Sequence, residues 1–253
     1  MKNKNKNKKP FMFRFFKGLV RVFYMKREFI GLDNLPKEPS IIISNHAQMN
    51  GPISMELFFP SKRKIWCIGE MMNIKEVPNY AFQDFWSKKP RYIRWLYRII
   101  SYLIAPVGYL LKNADTIAVY KDSRIITTFK ETVQELNNGC NVIIFPESVA
   151  EYNHIVNDFQ DKFIDVAKLY YKKYNKELYF VPMYNAAKLK KIVIGKPIKF
   201  DHTLDMTTQR EVICSYLKEV ITKLAIELPP HRVVPYLNIK KRKYPLNKKE
   251  ESL

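Results

Sequence analysis

A chain of 253 residues with 47% hydrophobic and 14% aromatic content can bury a sizeable core, as one large domain or as one domain with appendages. Its 44 basic residues outnumber 24 acidic ones, and the resulting charge of +20 suits three kinds of polyanion: nucleic acid, an anionic membrane surface, or phosphorylated small molecules. Cys67, Cys140 and Cys214 are odd in number, far apart and outside any CxxC or zinc-like spacing, which excludes a disulfide framework and points to a reducing compartment.

The chain opens with MKNKNKNKK, a run whose lysines either solvate the terminus or attract a polyanion. FMFRFFKGLVRVFYM follows at 11–25. Arg14, Lys17 and Arg21 recur at helical spacing and share one face, while Met12, Phe15, Phe16, Leu19, Val22 and Phe23 fall mainly on the opposite side. Two readings stand: an amphipathic helix at the membrane interface, with cations on lipid phosphates and rings below them, or a helix packed on the protein's own core. Charges interrupt the stretch too often for a spanning helix or a secretory signal.

Ile41-Ile42-Ile43-Ser44 reads as a buried strand, and SNHAQMNG at 44–51 then places Asn45 and His46 at its carboxyl end. Further strands are expected at 64–69, 115–120, 141–146, 178–185 and 190–200. Between them, RYIRWLYRIISYLIAPVGYLLKN at 91–113 has an uncharged run of 13 residues broken by Pro106, which makes it a buried or interfacial helix pair. A spanning segment needs roughly 20 apolar residues. Residues 123–139 carry Ile126, Phe129, Val133 and Leu136 at helical spacing and end in Gly139 as a cap. Amphipathic helices are expected also at 158–174 and 207–228, before Pro229-Pro230. Strands alternating with helices define an α/β fold with a largely parallel central sheet flanked by helices, preceded by the N-terminal amphipathic helix. The expected division is a basic tail and surface helix at 1–30, the α/β domain at 31–230 and a basic tail at 231–253. In such sheets ligands gather at the carboxyl ends of strands, where both SNH and FPES fall.

Four stretches in fixed order carry a resemblance: SNHAQMNG (44–51), DTIAVYKDSR (115–124), IIFPES (143–148) and FVPMY (180–184). Together they resemble the glycerolipid acyltransferase superfamily, the family of bacterial 1-acylglycerol-3-phosphate acyltransferases, over roughly residues 38–200. Its pattern is Asn-His-x4-Asp, a hydrophobic segment ending in Arg, Phe-Pro-Glu-Gly and a Val-Pro strand.

The resemblance implies that Asn45-His46 is the catalytic pair, with His46 the general base that deprotonates an acceptor hydroxyl as it attacks an acyl thioester. It implies that Glu147 and Ser148 help to form the acceptor site, and that Lys121 stands where the family's phosphate-binding arginine does. Arg124 either supplies the missing bidentate fork or is a solvated arginine at a helix start. The implied donor is acyl-CoA or acyl carrier protein and the acceptor a lysophospholipid, glycerol phosphate or related polar lipid. No metal or other cofactor is implied. The expected setting is cytoplasmic, peripheral on the inner, anionic face of the membrane, and no nucleic-acid partner is expected.

Two positions depart from the pattern. Gly51 stands where the family has the aspartate that orients and stabilises the imidazole, and Ser148-Val149-Ala150 lacks a second phosphate-binding arginine. Glu56 and Glu70 are the carboxylates that could replace the aspartate, and Gly51→Asp is expected to restore the family pair. Asn153, His154 and Asp158 form a competing set, whereas His202 and His231 read as structural or exposed. The departures leave room for a catalytically degenerate protein that binds lipid or acyl chains without turnover.

Overall fold

The computed structural model describes residues 9–248; the lysines of the first eight residues and residues 249–253 lie outside the described part. In chain order the elements are α1 (Phe11–Phe23), β1 (Glu28–Ile30), β2 (Ile41–Ser44), α2 (Asn50–Phe58), β3 (Arg63–Ile68), α3 (Val77–Ala81), α4 (Arg94–Leu103), α5 (Pro106–Asn113), β4 (Thr116–Val119), α6 (Ile125–Asn137), β5 (Asn141–Ile144), β6 (Glu147–Tyr152), β7 (Asn157–Phe159), α7 (Asp165–Tyr174), β8 (Tyr179–Ala186), β9 (Lys191–Ile194), β10 (Ile198–Lys199) and α8 (Met206–Glu227). The fold is α/β with a mostly parallel central sheet, as the alternation of strand and helix patterns requires. The chain divides into two compact units, residues 1–25 with 66–128 and residues 26–65 with 129–253.

The larger unit carries the strand order β1-β9-β8-β2-β5-β3, with β10 beside β8. Strand β2 lies between β5 and β8 and runs parallel to both, in the registers Ile42↔Ile143 and Ile42↔Val181. Only β9 and β10 run antiparallel to β8 in this sheet. Ile41, Ile42 and Ile43 are fully buried, as a central parallel strand covered on both faces demands. Each contributes about 1.5–3 kcal/mol by leaving water. On one side Ile42, Ile143, Val181 and Ile192 pack with Met55 and Phe59 of α2 and its C-cap. Helix α8 packs along β8 and is started by Asp205, whose carboxylate accepts the Thr207 and Thr208 N–H groups at 2.9 and 3.0 Å. Gly139 ends α6 with φ 84°, a conformation that only glycine adopts without strain. β6 and β7 form a separate two-stranded antiparallel ribbon, which the sequence pattern does not announce.

The segment after Pro230, expected as a basic tail, has a packed inner side. Val233, Val234, Tyr244 and Asn247 are buried, and Arg232 bridges to Leu246. Asn247 acts as the anchor: its side-chain amide donates to the Ala225 carbonyl at 2.8 Å and its side-chain oxygen accepts the His231 N–H at 2.8 Å. His231 is buried and structural. Its Nδ1–H donates to the Pro229 carbonyl at 2.8 Å and its Nε2 accepts from the Tyr184 hydroxyl at 2.9 Å.

The smaller unit contains α1, α3, α4, α5 and β4. Lys9, just before α1, pairs with Asp115 at 3.0 Å and donates to the Ala114 carbonyl. Residues 94–103 and 106–113 form the expected helix pair, and no helix among the described residues is long and apolar enough to cross a membrane.

Candidate active site

The site grows from the parallel registry of three strands. Because β2, β5 and β8 point the same way, their carboxyl ends deliver residues 45–46, 145–147 and 185 to one edge of the sheet. Asn45 is buried there and turns its side chain into the sheet. Its Oδ1 accepts the Asn185 N–H at 2.7 Å and its Nδ2 donates to the Asn185 carbonyl at 3.3 Å. That pair of bonds stitches the start of the His46 loop to β8, so Asn45 positions the histidine and makes its bonds to protein backbone.

Glu147 is the second clamp. One carboxylate oxygen accepts the backbone N–H of His46 at 2.6 Å and the other accepts the N–H of Asn157 at 3.0 Å. Expected as an acceptor-binding residue, it is instead buried and committed to holding the histidine loop and the β6–β7 ribbon together. Burial pushes its carboxyl up to about 7, against the two N–H groups that favour the ionised form. Ser148 follows it on β6 and is half-buried.

The loop between β2 and α2 then makes an uncommon curl. Ala47 and Gln48 adopt φ 45° and 54°, the left-handed region, at about 1–3 kcal/mol each. The curl brings the Gln48 carbonyl to 2.5 Å from His46 Nδ1. A carbonyl can only accept, so Nδ1 carries the proton and Nε2 keeps its lone pair. The imidazole is half-buried between Phe145 and Tyr236, with ring centroids at 5.3 and 5.5 Å. Burial lowers its pKa below the ordinary 6.5, which keeps the ring neutral near pH 7.

What holds the curl lies far away in sequence. The Gln48 amide donates to the Tyr244 hydroxyl at 3.0 Å and to the Leu237 carbonyl at 3.3 Å, and Ala47 packs with Val234 and Tyr244. Tyr236, on the same segment, supplies one wall of the imidazole. Residues 234–244 thus belong to the site. The sequence signal for them is the apolar cluster Val233, Val234, Tyr236 just before the basic run Lys240-Lys241-Arg242-Lys243, whose charge masks it.

The carboxylates expected to stand in for the family aspartate have other partners. Glu56 pairs with Arg63 at 3.3 Å, and Glu70 pairs with Arg124 at 3.6 Å. Gly51, which the sequence pattern sets against an aspartate, donates its N–H to the His46 carbonyl at 3.1 Å, and a Cβ there would stand 2.4 Å from that oxygen and 2.7 Å from Phe145 Cε1. An aspartate at 51 would therefore force the histidine loop and the Phe145 ring to shift, and the group that holds the imidazole here is a backbone carbonyl.

The rival histidine is differently placed. His154 has φ 71° in the turn between β6 and β7 and its Nε2 meets the Asn247 carbonyl at 3.3 Å. Asn153 bonds Thr222 and Asp158 pairs with Lys218, so neither forms a dyad with it. The smaller unit holds the two expected phosphate ligands. Lys121 is exposed beyond β4. Arg124 lies over the Tyr120 ring at 3.9 Å, and its fork grips Asp122 in a bidentate pair at 3.0 and 2.8 Å. Glu177, Asp201 and His202 are the described residues close enough together to share a metal ion, but Lys199 is already 2.5 Å from Glu177, and the Glu177 carboxylate accepts from His202 Nδ1–H at 2.7 Å.

No protein-family model matches this chain, and no curated protein does. Among solved structures, the chain is similar to the 1-acyl-sn-glycerophosphate (LPA) acyltransferase PlsC from Thermotoga maritima. The two share 14% identity and a TM-score of 0.46, over 84% of this chain and 78% of that one.

Proposed function

We propose that the chain is an acyltransferase that moves a fatty acyl group from a thioester of coenzyme A or acyl carrier protein to a hydroxyl of a polar lipid at an anionic membrane surface. The observation that carries the reading is the His46 Nδ1–H bond to the Gln48 carbonyl, together with the ordered motifs around it. It puts the proton on Nδ1 and the lone pair on Nε2, the form that a general base needs. In the reaction Nε2 takes the acceptor's hydroxyl proton as the oxygen attacks the thioester carbonyl. The carbon–sulfur bond then breaks, and the departing thiolate takes the proton back from the imidazolium. The products are an ester and a free thiol, with no acyl-enzyme and no metal in the scheme.

The orienting carbonyl differs in kind from the family's aspartate. It fixes the tautomer but supplies no negative charge to an imidazolium, so turnover is expected to be slower than with a carboxylate. Lys121 and Arg124, on the smaller unit, are the cations that the resemblance offers for a phosphate, and the Arg124 fork is already engaged by Asp122. At the membrane, α1 presents Phe15, Val22 and Phe23 outward, the latter two 81% and 80% exposed, opposite its basic stripe. That the His46 imidazole meets a carbonyl and, among the described residues, no carboxylate favours a second reading, a degenerate protein that binds lipid without turning it over. Incubating the purified protein with labelled acyl thioester and total lipid extract, then identifying any acylated lipid, separates the two: a labelled lipid supports catalysis, and binding without product supports the second reading.

A further inference from the structure

Helix α4 leaves an apolar face uncovered. Tyr92, Trp95, Leu96, Ile99, Tyr102 and Leu103 fall on one side at helical spacing, and all are exposed, Trp95 at 65% and Leu103 at 73%. The opposite side faces protein: Ser101 is buried, and Tyr97 stacks on Trp86 at 5.6 Å. Scattered surface leucines need no explanation, but six large apolar side chains on one side of α4 and the turn that leads into it do.

The surroundings select the occupant. Arg91, Arg94 and Arg98 are exposed and line one edge of the apolar face. Residues 85–114 contain six basic residues (Lys88, Lys89, Arg91, Arg94, Arg98, Lys112) and no acidic one. Two of the arginines are braced, Arg94 by donating to the Lys89 carbonyl at 2.8 Å and Arg98 by lying over the Phe82 ring at 4.8 Å. Tryptophan and tyrosine at the margin of an aliphatic stripe, with arginines beside them, match the layered chemistry of a bilayer boundary: hydrocarbon, then amphipathic rings, then phosphate.

We propose that the α4 face is a bilayer-contacting surface in its own right, lying in the plane of an anionic membrane with Trp95, Ile99 and Leu103 below the phosphates and Arg91, Arg94 and Arg98 on them. This deepens the membrane-surface part of the proposed function and rests on it, while making a separate claim from catalysis. Helix α1 offers that unit one line of contact, and a second contact on α4 fixes the unit against the lipid.

The test uses the full chain with phosphatidylglycerol-containing vesicles, some brominated in their acyl chains. Trp66→Phe with Trp86→Phe leaves Trp95 as the single emitter. Its fluorescence should shift to the blue and be quenched by the brominated lipid. Ile99→Asp with Leu103→Asp, at two exposed positions, should keep the circular dichroism of the parent and weaken vesicle binding at least ~10-fold. A parallel variant of α1, Phe15→Asp with Val22→Asp, should weaken binding yet still show Trp95 quenching at saturating lipid. Unquenched Trp95 in vesicle-bound protein overturns the proposal, as does full binding by the α4 variant. A dimer in sedimentation that the α4 substitutions dissolve, without vesicle binding by the parent, assigns the face to a second copy of the chain and also overturns it. A chain that binds vesicles through Trp95 but transfers no acyl group keeps this inference and sinks the catalytic role of His46.

Discussion

Gly51→Asp turns the sequence expectation around. On motif grounds it restores the family's orienting acid and should raise turnover. In the structure the new Cβ lands 2.4 Å from the His46 carbonyl oxygen and 2.7 Å from Phe145 Cε1. The first of these is backbone that belongs to the histidine loop, and the second is the ring against which the imidazole packs. Forcing atoms into a close-packed site costs about 1–3 kcal/mol. Gly51 is also buried, so an unpaired carboxylate adds a desolvation cost of similar size. A loss of about 3 kcal/mol or more lowers Tm by roughly 6–12 °C in a chain of this length. Because the strain falls on His46 itself, acyl transfer should drop as well. Gly51→Ala carries the same Cβ without the charge and should show a smaller loss of both. The assay is thermal unfolding by circular dichroism beside thioester-dependent lipid acylation. An aspartate variant that unfolds at the wild-type temperature and turns over faster would refute the reasoning, since the imidazole would then be oriented by a carboxylate that the Gln48 carbonyl merely replaces.

Three further outcomes follow from the same geometry. The Glu147 carboxyl titrates at about 7 in the folded chain against 4.5 ordinarily, so between these values the native state keeps a proton that the unfolded chain has lost, and stability falls as pH rises through the window; in Glu147→Gln that slope should vanish, the wild-type-minus-variant difference in urea denaturation changing by ~3 kcal/mol from pH 4.5 to 7. Tyr244→Phe removes the hydroxyl that receives the Gln48 amide, and should cost about 1 kcal/mol of stability while lowering kcat more than it changes KM, because the loop rather than a binding contact is loosened. The acid limb of kcat/KM against pH should lie below 6.5, since burial lowers the His46 pKa and the base works only when neutral; a limb above 6.5 would mean that the essential base is another group.

The legible parts of the fold are those built on side-chain pattern. Ile41-Ile42-Ile43 announces a strand covered on both faces, and the spacing of Val133 and Leu136 before Gly139 marks a helix and its end. The β6–β7 ribbon is hidden because ESVAEY and NDF hold few apolar residues and no tight-turn glycine, their order coming from the Glu147 carboxylate and the packing beneath them. In the site, His46 can be singled out from its place at a strand end. Its orienting partner cannot, because that partner is a main-chain carbonyl and the curl that presents it uses left-handed Ala47 and Gln48, neither of which signals such a conformation as glycine would. Glu147 lies in the neighbourhood that its motif implies but serves another purpose there, since a motif does not distinguish a carboxylate that faces a ligand from one that holds two backbone N–H groups. The sequence at 11–25 suits membrane and core alike; in the structure α1 buries Phe13 and leaves Phe11, Phe15 and Phe23 exposed.

The central claim is that His46 Nε2 is the general base for acyl transfer, and the direct measurement is the rate of labelled lipid formation by wild type, His46→Ala and His154→Ala from the same thioester and lipid extract. The account predicts that the wild type forms a labelled ester, that His46→Ala loses roughly 10²–10⁴-fold in rate while its Tm changes little, and that His154→Ala stays close to wild type. Full activity in His46→Ala, or loss of activity in His154→Ala alone, would contradict it.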